Sequence, residues 1–380
     1  MNCFVKESYG FIWHFCHNSH GICYCRMTDE SITEYNVLIP DGMEDFDVAI
    51  DDSGCIHMVY QNKRGDILYA NHFEDRWRKT TLLKSKSESC YPKDFVLKIS
   101  DLRLDLLYCI EYNGRRMLIF QPIDNNQQSP CVIDCIKNQF CAVQDAQKNL
   151  VILYYSETQK SWGIKRFISI EREWTEFSAI DLGECNNPFL YIDSDDKIRI
   201  VFDRNSTVIE FSEGKERILG TGRRPIMFYK NDEFTVWEGV VDNKIYVKKA
   251  GDNAPAVIMS GEFSRPLRFK LRYTGFESGI RAECCTGNII NGSVRMYGIN
   301  NFFAVSRVAP FTEERKNYKP DDKTYREMQK MKIRINQLDG LVEQLQKRLN
   351  EYDSIKTDRR LQELETAVNK TNKIKFLGLF

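Results

Sequence analysis

The chain reads as an all-β repeat body followed by an α-helical coiled coil. Three observations carry that reading: a strand-turn pattern that recurs about every forty-four residues, the lack of helical periodicity before residue 320, and an abrupt change to long charged residues after it. Lysine and arginine equal aspartate and glutamate at 54 each among 380 residues, so no global field favours nucleic acid or an anionic membrane. The charge is unevenly placed, with +4 from Phe311 onward and −4 before it.

The clearest unit is "DFDVAIDDSGCIHMVYQNKRGDILYANHFEDRWRKTTLL", from Asp45. It contains an apolar run ending at Ile50, an Asp-Asp-Ser-Gly turn, "CIHMVY", a Gly65-Asp66 turn, "ILYANHF" and a strand led by Trp77. Successive hairpins of this kind make one antiparallel four-stranded sheet. The order returns in "DFVLKISD" from Asp94, "QFCAVQD" from Gln139, "NPFLYIDSDDKIRIVF" from Asn187, "RPIMFYKNDEFTVWEGV" from Arg224 and "RPLRFKLRY" from Arg265. An earlier unit is supplied by "NCFVKES", "FIWHFCH", "GICYCRM" and "TEYNVLI". Runs such as "CIHMVY" and "LVILYY" are apolar on both parities, as strands covered on two sides should be.

Seven units of four strands predict a seven-bladed β-propeller over residues 1–310, with six blades and a cap as the alternative. The unit resembles the repeats of sialidase-like (BNR-type) bacterial propellers, best at Asp51-Asp52-Ser53-Gly54. That resemblance implies a propeller fold and, as one alternative, glycan binding or glycoside hydrolysis. In the hydrolytic case Arg224, Arg265 and Arg272 are the arginines to nominate for a substrate carboxylate. No tyrosine-glutamate pair matches the family's nucleophile, and no G-x-S-x-G, H-E-x-x-H or phosphate-binding loop occurs. The expectation is therefore a non-enzymatic scaffold or binding protein with no catalytic residues and no cofactor.

The leading residues of the units, Asp45, Asp94, Gln139, Asn187, Arg224 and Arg265, are expected at one mouth of the central channel. They form either a ring for a polar ligand or a set of turn residues that satisfy neighbouring backbone. "EDRWRK" and "SETQKSW" pair aromatics with charges as interfaces do, while the matching places of Trp77 and Trp174 in their units argue for packing. "WHFCHNSHGICYC", from Trp13 to Cys25, carries three histidines and three cysteines, so it has the donor types of a zinc site. Laid over the next unit, however, His14 falls on Met58, Cys16 on Tyr60, Cys23 on Leu68 and Cys25 on Ala70, which are core places. No metal is expected there.

Residues 311–322 read as a linker, 323–352 as a coiled-coil helix and 353–375 as a second helix. With Met328 at position a, the a sites are Met328, Ile335, Val342 and Leu349, and the d sites are Met331, Leu338, Leu345 and Tyr352. β-Branched a residues with leucine at d favour a parallel homodimer; an intramolecular hairpin and a trimer are the competitors. The tail 376–380 offers Phe376, Leu377, Leu379 and Phe380 either to a partner's groove or to the protein's own helices. A protein partner is expected. No apolar run reaches the ~20 residues of a membrane span, and no secretory signal is recognisable. With thirteen cysteines irregularly spaced, the location expected is cytoplasmic, or a spore or other assembly after cytosolic synthesis.

Overall fold

The computed structural model describes residues 2–7, 11–27, 34–73, 76–86, 91–100, 103–123, 129–193, 195–230, 232–240, 244–259, 267–273, 280–290 and 293–297. All belong to the first of two compact units, residues 1–307. The coiled-coil helix, the second helix and the tail, and also Arg265, lie outside the described residues.

Every described element is a strand, and the strands form six sheets. The unit at Asp45 makes a meander of Gly42–Ile50, Ile56–Asn62, Ile67–Phe73 and Arg76–Leu83. The units at Asp94 and Asn187 make the same four-stranded pattern, led by Val96–Ser100 and Asn186–Ile192. The unit at Gln139 splits its outer strand into Glu173–Trp174 and Ser178–Ile180, both paired with Ser161–Ile168. The unit at Arg224 adds Ile280–Arg281 beside Arg223–Lys230.

Seven sequence units thus occupy six sheets, because the first and last share one. Asn2–Lys6 pairs in parallel with Leu267–Tyr273, setting Asn2 opposite Phe269 and Lys6 opposite Tyr273, and the seven-stranded sheet results. A parallel pair needs a long connection, and here the whole ring of intervening sheets supplies it.

Burial explains the arrangement. All seven residues of Ile56–Asn62 are buried, so that strand is covered on both faces. Separate apolar clusters fill the gaps between neighbouring sheets. Trp13, Phe15, Phe46 and Met58 lie between the first two units. Val59, Phe95 and Leu106 fill the next gap, followed by Leu107, Phe120, Ile152 and Phe167. Leu153, Trp162, Ile200 and Phe202 follow, then Val201, Met227 and Trp237. Phe4, Ile226, Phe228, Phe269 and Leu271 close the circle. Sheets stacked face to face around an axis are what a propeller requires.

The axis is crossed by charge. Alternate side chains of Leu267–Tyr273 face opposite ways. Phe269 and Leu271 enter the core beside Phe4, so Arg268, Lys270 and Arg272 point the other way. Arg268 donates to the carbonyl oxygens of Arg224 and Pro225 at 2.9 and 3.1 Å, and Lys270 donates to that of Phe95 at 3.1 Å. Arg272 reaches the carbonyl of Val48 at 3.0 Å. Between the last two cations sits Asp47, fully buried, 3.1 Å from Lys270 Nζ and 3.2 Å from Arg272 Nη2. Its other oxygen accepts the Leu97 N–H at 2.8 Å. Burial alone would raise the Asp47 carboxyl, but Lys270, Arg272 and the Leu97 N–H together hold it below its ordinary value.

Replacing Asp47 by Asn strands two cations in the interior, and a loss of about 3–5 kcal/mol is expected in denaturant unfolding at neutral pH. The depressed carboxyl stabilises the fold above its unfolded value near 3.8, and that contribution is lost as pH falls through the lower folded value. The gap between Asp47→Asn and the parent chain should therefore close in acid; a gap that stays constant with pH would contradict this account.

Candidate functional site

The leading ends of the inner strands open on a cleft of about 680 Å³. Three of the six predicted ring residues, Asp94, Gln139 and Asn187, line it. Asp94 and Asn187 have left-handed backbone, φ 53° and 47°, a conformation that Asp and Asn tolerate better than most residues. Their side chains also serve the scaffold: Asp94 accepts from Arg116 at 2.7 Å, and Asn187 Nδ2 donates to Asp203 at 2.9 Å. Gln139 is exposed.

The other ring members are placed differently. Asp45 turns inward and accepts the backbone N–H groups of Lys93 and of Asp94, the latter at 3.0 Å, which ties its unit to the next. Arg224, also left-handed at φ 53°, is held by Glu238 at 2.8 Å, and its N–H donates to Asp203 at 3.0 Å. The ring residues therefore line a cleft over the third to fifth units, while Asp45 and Arg224 serve as ties between units. Sequence reasoning missed Arg115, Arg116, Lys137 and Asn138 in the cleft, since the first two open the third strand of their unit, Arg115–Ile123, and the last two lie on a connection, none of them at a leading position. Arg116 is shared between Asp94 and Glu111, the latter 3.8 Å away. Arg115 and Lys137 are exposed, with no carboxylate partner among the described residues. Trp162, at the end of "SETQKSW", lies in the wall but is only 5% exposed, so it supports the cleft rather than presenting a face. Trp77 and Trp174 are packing residues too, with ring centroids 6.2 Å from Phe15 and 5.3 Å from Phe120.

Of the nominated arginines, the two among the described residues, Arg224 and Arg272, do not gather. Arg224 is tied to Glu238, and Arg272 to Asp47. The residue that bonds the Arg224 carbonyl is Arg268, four positions before Arg272, or roughly 13 Å along an extended strand.

The opposite ends of the inner strands open on two cavities of about 320 and 310 Å³ that share Gln144, Lys148, Tyr273 and Glu283. Three of the turns there are built by a carboxylate. Asp51 Oδ1 accepts from Ser53 N, Ser53 Oγ and Cys55 N at 2.9, 2.6 and 2.9 Å. Asp145 accepts the Asn149 N–H at 2.8 Å, and Asp193 accepts those of Asp195 and Lys197 at 2.9 Å each. All three stand six residues after the leading positions Asp45, Gln139 and Asn187. That offset was a legible signal for Asp145 and Asp193.

The histidine-cysteine cluster occupies the places that the alignment of units indicates. His14 lies opposite Cys25 and Cys16 opposite Cys23, as Met58 lies opposite Ala70 and Tyr60 opposite Leu68. His14 is fully buried, stacked 4.3 Å from the Phe4 ring, with Nε2 at 3.1 Å from Asn2 Oδ1 and Nδ1 at 2.8 Å from the Tyr35 hydroxyl. Burial pushes its pKa down to about 3 and that of the Cys25 thiol up to about 11. His20 is exposed at the turn. His14, Cys16, Cys23 and Cys25 act as core.

No family model matches the chain, and no curated protein matches it. Among solved structures it is similar to an ulvan lyase of a polysaccharide lyase family bound to GlcA(1-4)Rha3S, at 11% identity and TM-score 0.50, over 78% of this chain and 90% of that one. It is also similar to a Hadza microbial sialidase, at 11% identity and TM-score 0.40, over 66% of this chain and 65% of that one. A third is the Aleuria aurantia lectin in complex with Fucalpha1-6GlcNAc, at 10% identity and TM-score 0.42, over 68% and 94%. The fold is a β-propeller.

Because the fold keeps His14 neutral down to about pH 3 while the unfolded chain protonates it below 6.5, stability should fall across that window. The slope from this one group is at most about 1.4 kcal/mol per pH unit. His14→Met, which copies the buried Met58 of the next unit, should flatten the acid side of the melting-temperature profile; an unchanged profile would show that His14 is not held neutral by the fold.

Proposed function

We propose that the chain is a non-enzymatic binding propeller that takes an acidic oligosaccharide in the cleft at the leading ends of its inner strands. The observation that carries this reading is the pairing within the cleft. Arg116 occupies both acidic residues, Asp94 and Glu111, while Arg115 and Lys137, with no carboxylate partner among the described residues, stand at the rim beside the amides of Asn138, Gln139 and Asn186. Amides and guanidinium groups are the donors that hydroxyl and carboxylate oxygens require. Carboxylates already committed to an arginine are poor candidates for the acid and base of glycoside hydrolysis. Solved neighbours of the fold are glycan-binding or glycan-processing propellers, which sets the ligand class to try first.

We further propose that the seven units act as blades, the first and last fused, and that residues 323–352 pair two chains in parallel through Met328, Met331, Ile335, Leu338, Val342, Leu345, Leu349 and Tyr352. Two clefts on one dimer would raise avidity for a repeating polymer. The tail residues Phe376, Leu377, Leu379 and Phe380 are proposed as a docking peptide for a protein partner.

Calorimetry with uronate-containing, sulfated and neutral oligosaccharides tests the first proposal. Acidic oligosaccharides should bind in a salt-sensitive way, and Arg115→Ala with Lys137→Ala should weaken that binding at least about tenfold. Release of new chain ends would instead establish the hydrolase or lyase reading, and silence towards every glycan would remove the carbohydrate class. For the dimer, light scattering on the full chain should give twice the monomer mass, and Leu338→Asp with Leu345→Asp should halve it; a monomeric parent chain would end that proposal.

A further inference from the structure

A second cluster of donor side chains stands at the other end of the inner strands. Among the described residues, Asp51, Cys55 and His57 form a group whose ligand atoms all lie within 4.8 Å of one another. The group sits on the turn that leads from Gly42–Ile50 into Ile56–Asn62, and Asp51 also lines the cavity of about 320 Å³. We infer that Asp51, Cys55 and His57 bind one zinc ion, with water from the cavity as the fourth ligand.

The sister turns supply the first argument. In each, one carboxylate oxygen builds the turn and the other meets a guanidinium. Asp193 Oδ2 lies 3.0 Å from Arg199 Nε, and Asp145 Oδ2 lies 3.2 Å from Arg166 Nη1. At Asp51 the residue equivalent to Arg199 is His57, six positions on, whose Nε2 lies 3.1 Å from Asp51 Oδ2. An imidazole there brings no permanent charge, unlike the guanidinium groups of the sister turns. This one turn of the three therefore presents a carboxylate oxygen without a fixed cation.

The donors supply the second. Sulfur, imidazole nitrogen and carboxylate oxygen together suit zinc better than calcium or magnesium, which prefer oxygen alone. Cys55 stands where Asn149 and Lys197 stand in the sister turns, so the thiol is particular to this unit. The geometry is also supported from behind. His57 Nδ1 lies 2.7 Å from the Tyr69 hydroxyl, an outer contact of the kind that orients a metal-binding imidazole. Asp51 Oδ1 is held by Ser53 and Cys55, which leaves Oδ2 as the oxygen facing the histidine.

The proton balance is simple. Zinc displaces the Cys55 thiol proton to solvent. The His57 proton moves from Nε2, where it is donated to Asp51, to Nδ1, where it is donated to the Tyr69 oxygen. The Asp51–His57 hydrogen bond is replaced by two bonds to the ion, and the charge at the turn rises by one. Acid should release the metal, because protons compete for the thiolate and the imidazole.

Metal analysis of the full chain, equilibrated with zinc and desalted, should find about one equivalent. With cobalt in place of zinc, the thiolate should give a sulfur-to-metal charge-transfer band. Cys55→Ser should remove that band, and His57→Arg, which copies Arg199, should lose the metal while keeping the parent melting temperature. Asp51 is left intact in these tests because it builds the turn. Zinc retained in His57→Arg, or lost only when Cys16, Cys23 and Cys25 are replaced, would overturn the assignment, as would a cobalt spectrum without the thiolate band. None of these readouts involves the glycan cleft, so the two proposals fail separately.

Discussion

Asp47 is the residue on which the closed ring depends. A propeller leaves an axis where the inner strands of all its units meet, and something must occupy it without stranding polar groups. Here the last inner strand, Leu267–Tyr273, turns Arg268, Lys270 and Arg272 across that axis. Cations brought into so dry a place are tolerated only against an opposite charge and hydrogen bonds. Asp47 supplies the charge, and carbonyl oxygens of the second, third and sixth units supply the bonds. The same contacts join units distant in sequence, so the charge network also fixes how the ring closes.

That closure was the least legible part of the fold. The four-strand unit shows plainly in sequence because apolar runs, turn residues and period repeat together. The pairing of Asn2–Lys6 with Leu267–Tyr273 has no such signature, since "NCFVK" and "LRFKLRY" look like any leading strands. Only the alternation of basic residues at 268, 270 and 272 hinted that this strand differs, and basic alternation on a leading strand reads equally as a solvated face. Six sheets from seven units follow from a contact between chain segments some 265 residues apart, which no local pattern encodes.

The site was legible in part, for a related reason. Leading residues are found by aligning units, and that alignment brought Asp94, Gln139 and Asn187 to one cleft. Arg115 stands at the edge of the turn after Arg103–Tyr112, as the first residue of Arg115–Ile123, and Lys137 comes from the connection after Cys131–Cys135, segments that vary between units. Variable segments cannot be found by alignment, yet loops on a rigid ring are where recognition usually resides. The carboxylate turns show the reverse case. Asp51, Asp145 and Asp193 recur at a fixed offset, and the hydrogen bonds they accept explain why: each satisfies the first backbone N–H groups of a turn that no strand partner can reach.

The two ends of the axis consequently differ in chemistry. At the leading end the cleft presents Arg115, Arg116 and Lys137 against Asp94 and Glu111. At the far end Asp51, Asp52, Asp145, Asp193, Asp196 and Glu283 face Lys98, Lys148 and Arg272. Between them lies the Asp47 network, and the Lys98–Glu283 pair at 2.5 Å stands at its far side. A charged ligand at one end cannot pass through that barrier without breaking ion pairs in a low dielectric, where each is strong. The cations of the leading end and the carboxylates of the far end are thus kept apart by the network that closes the fold.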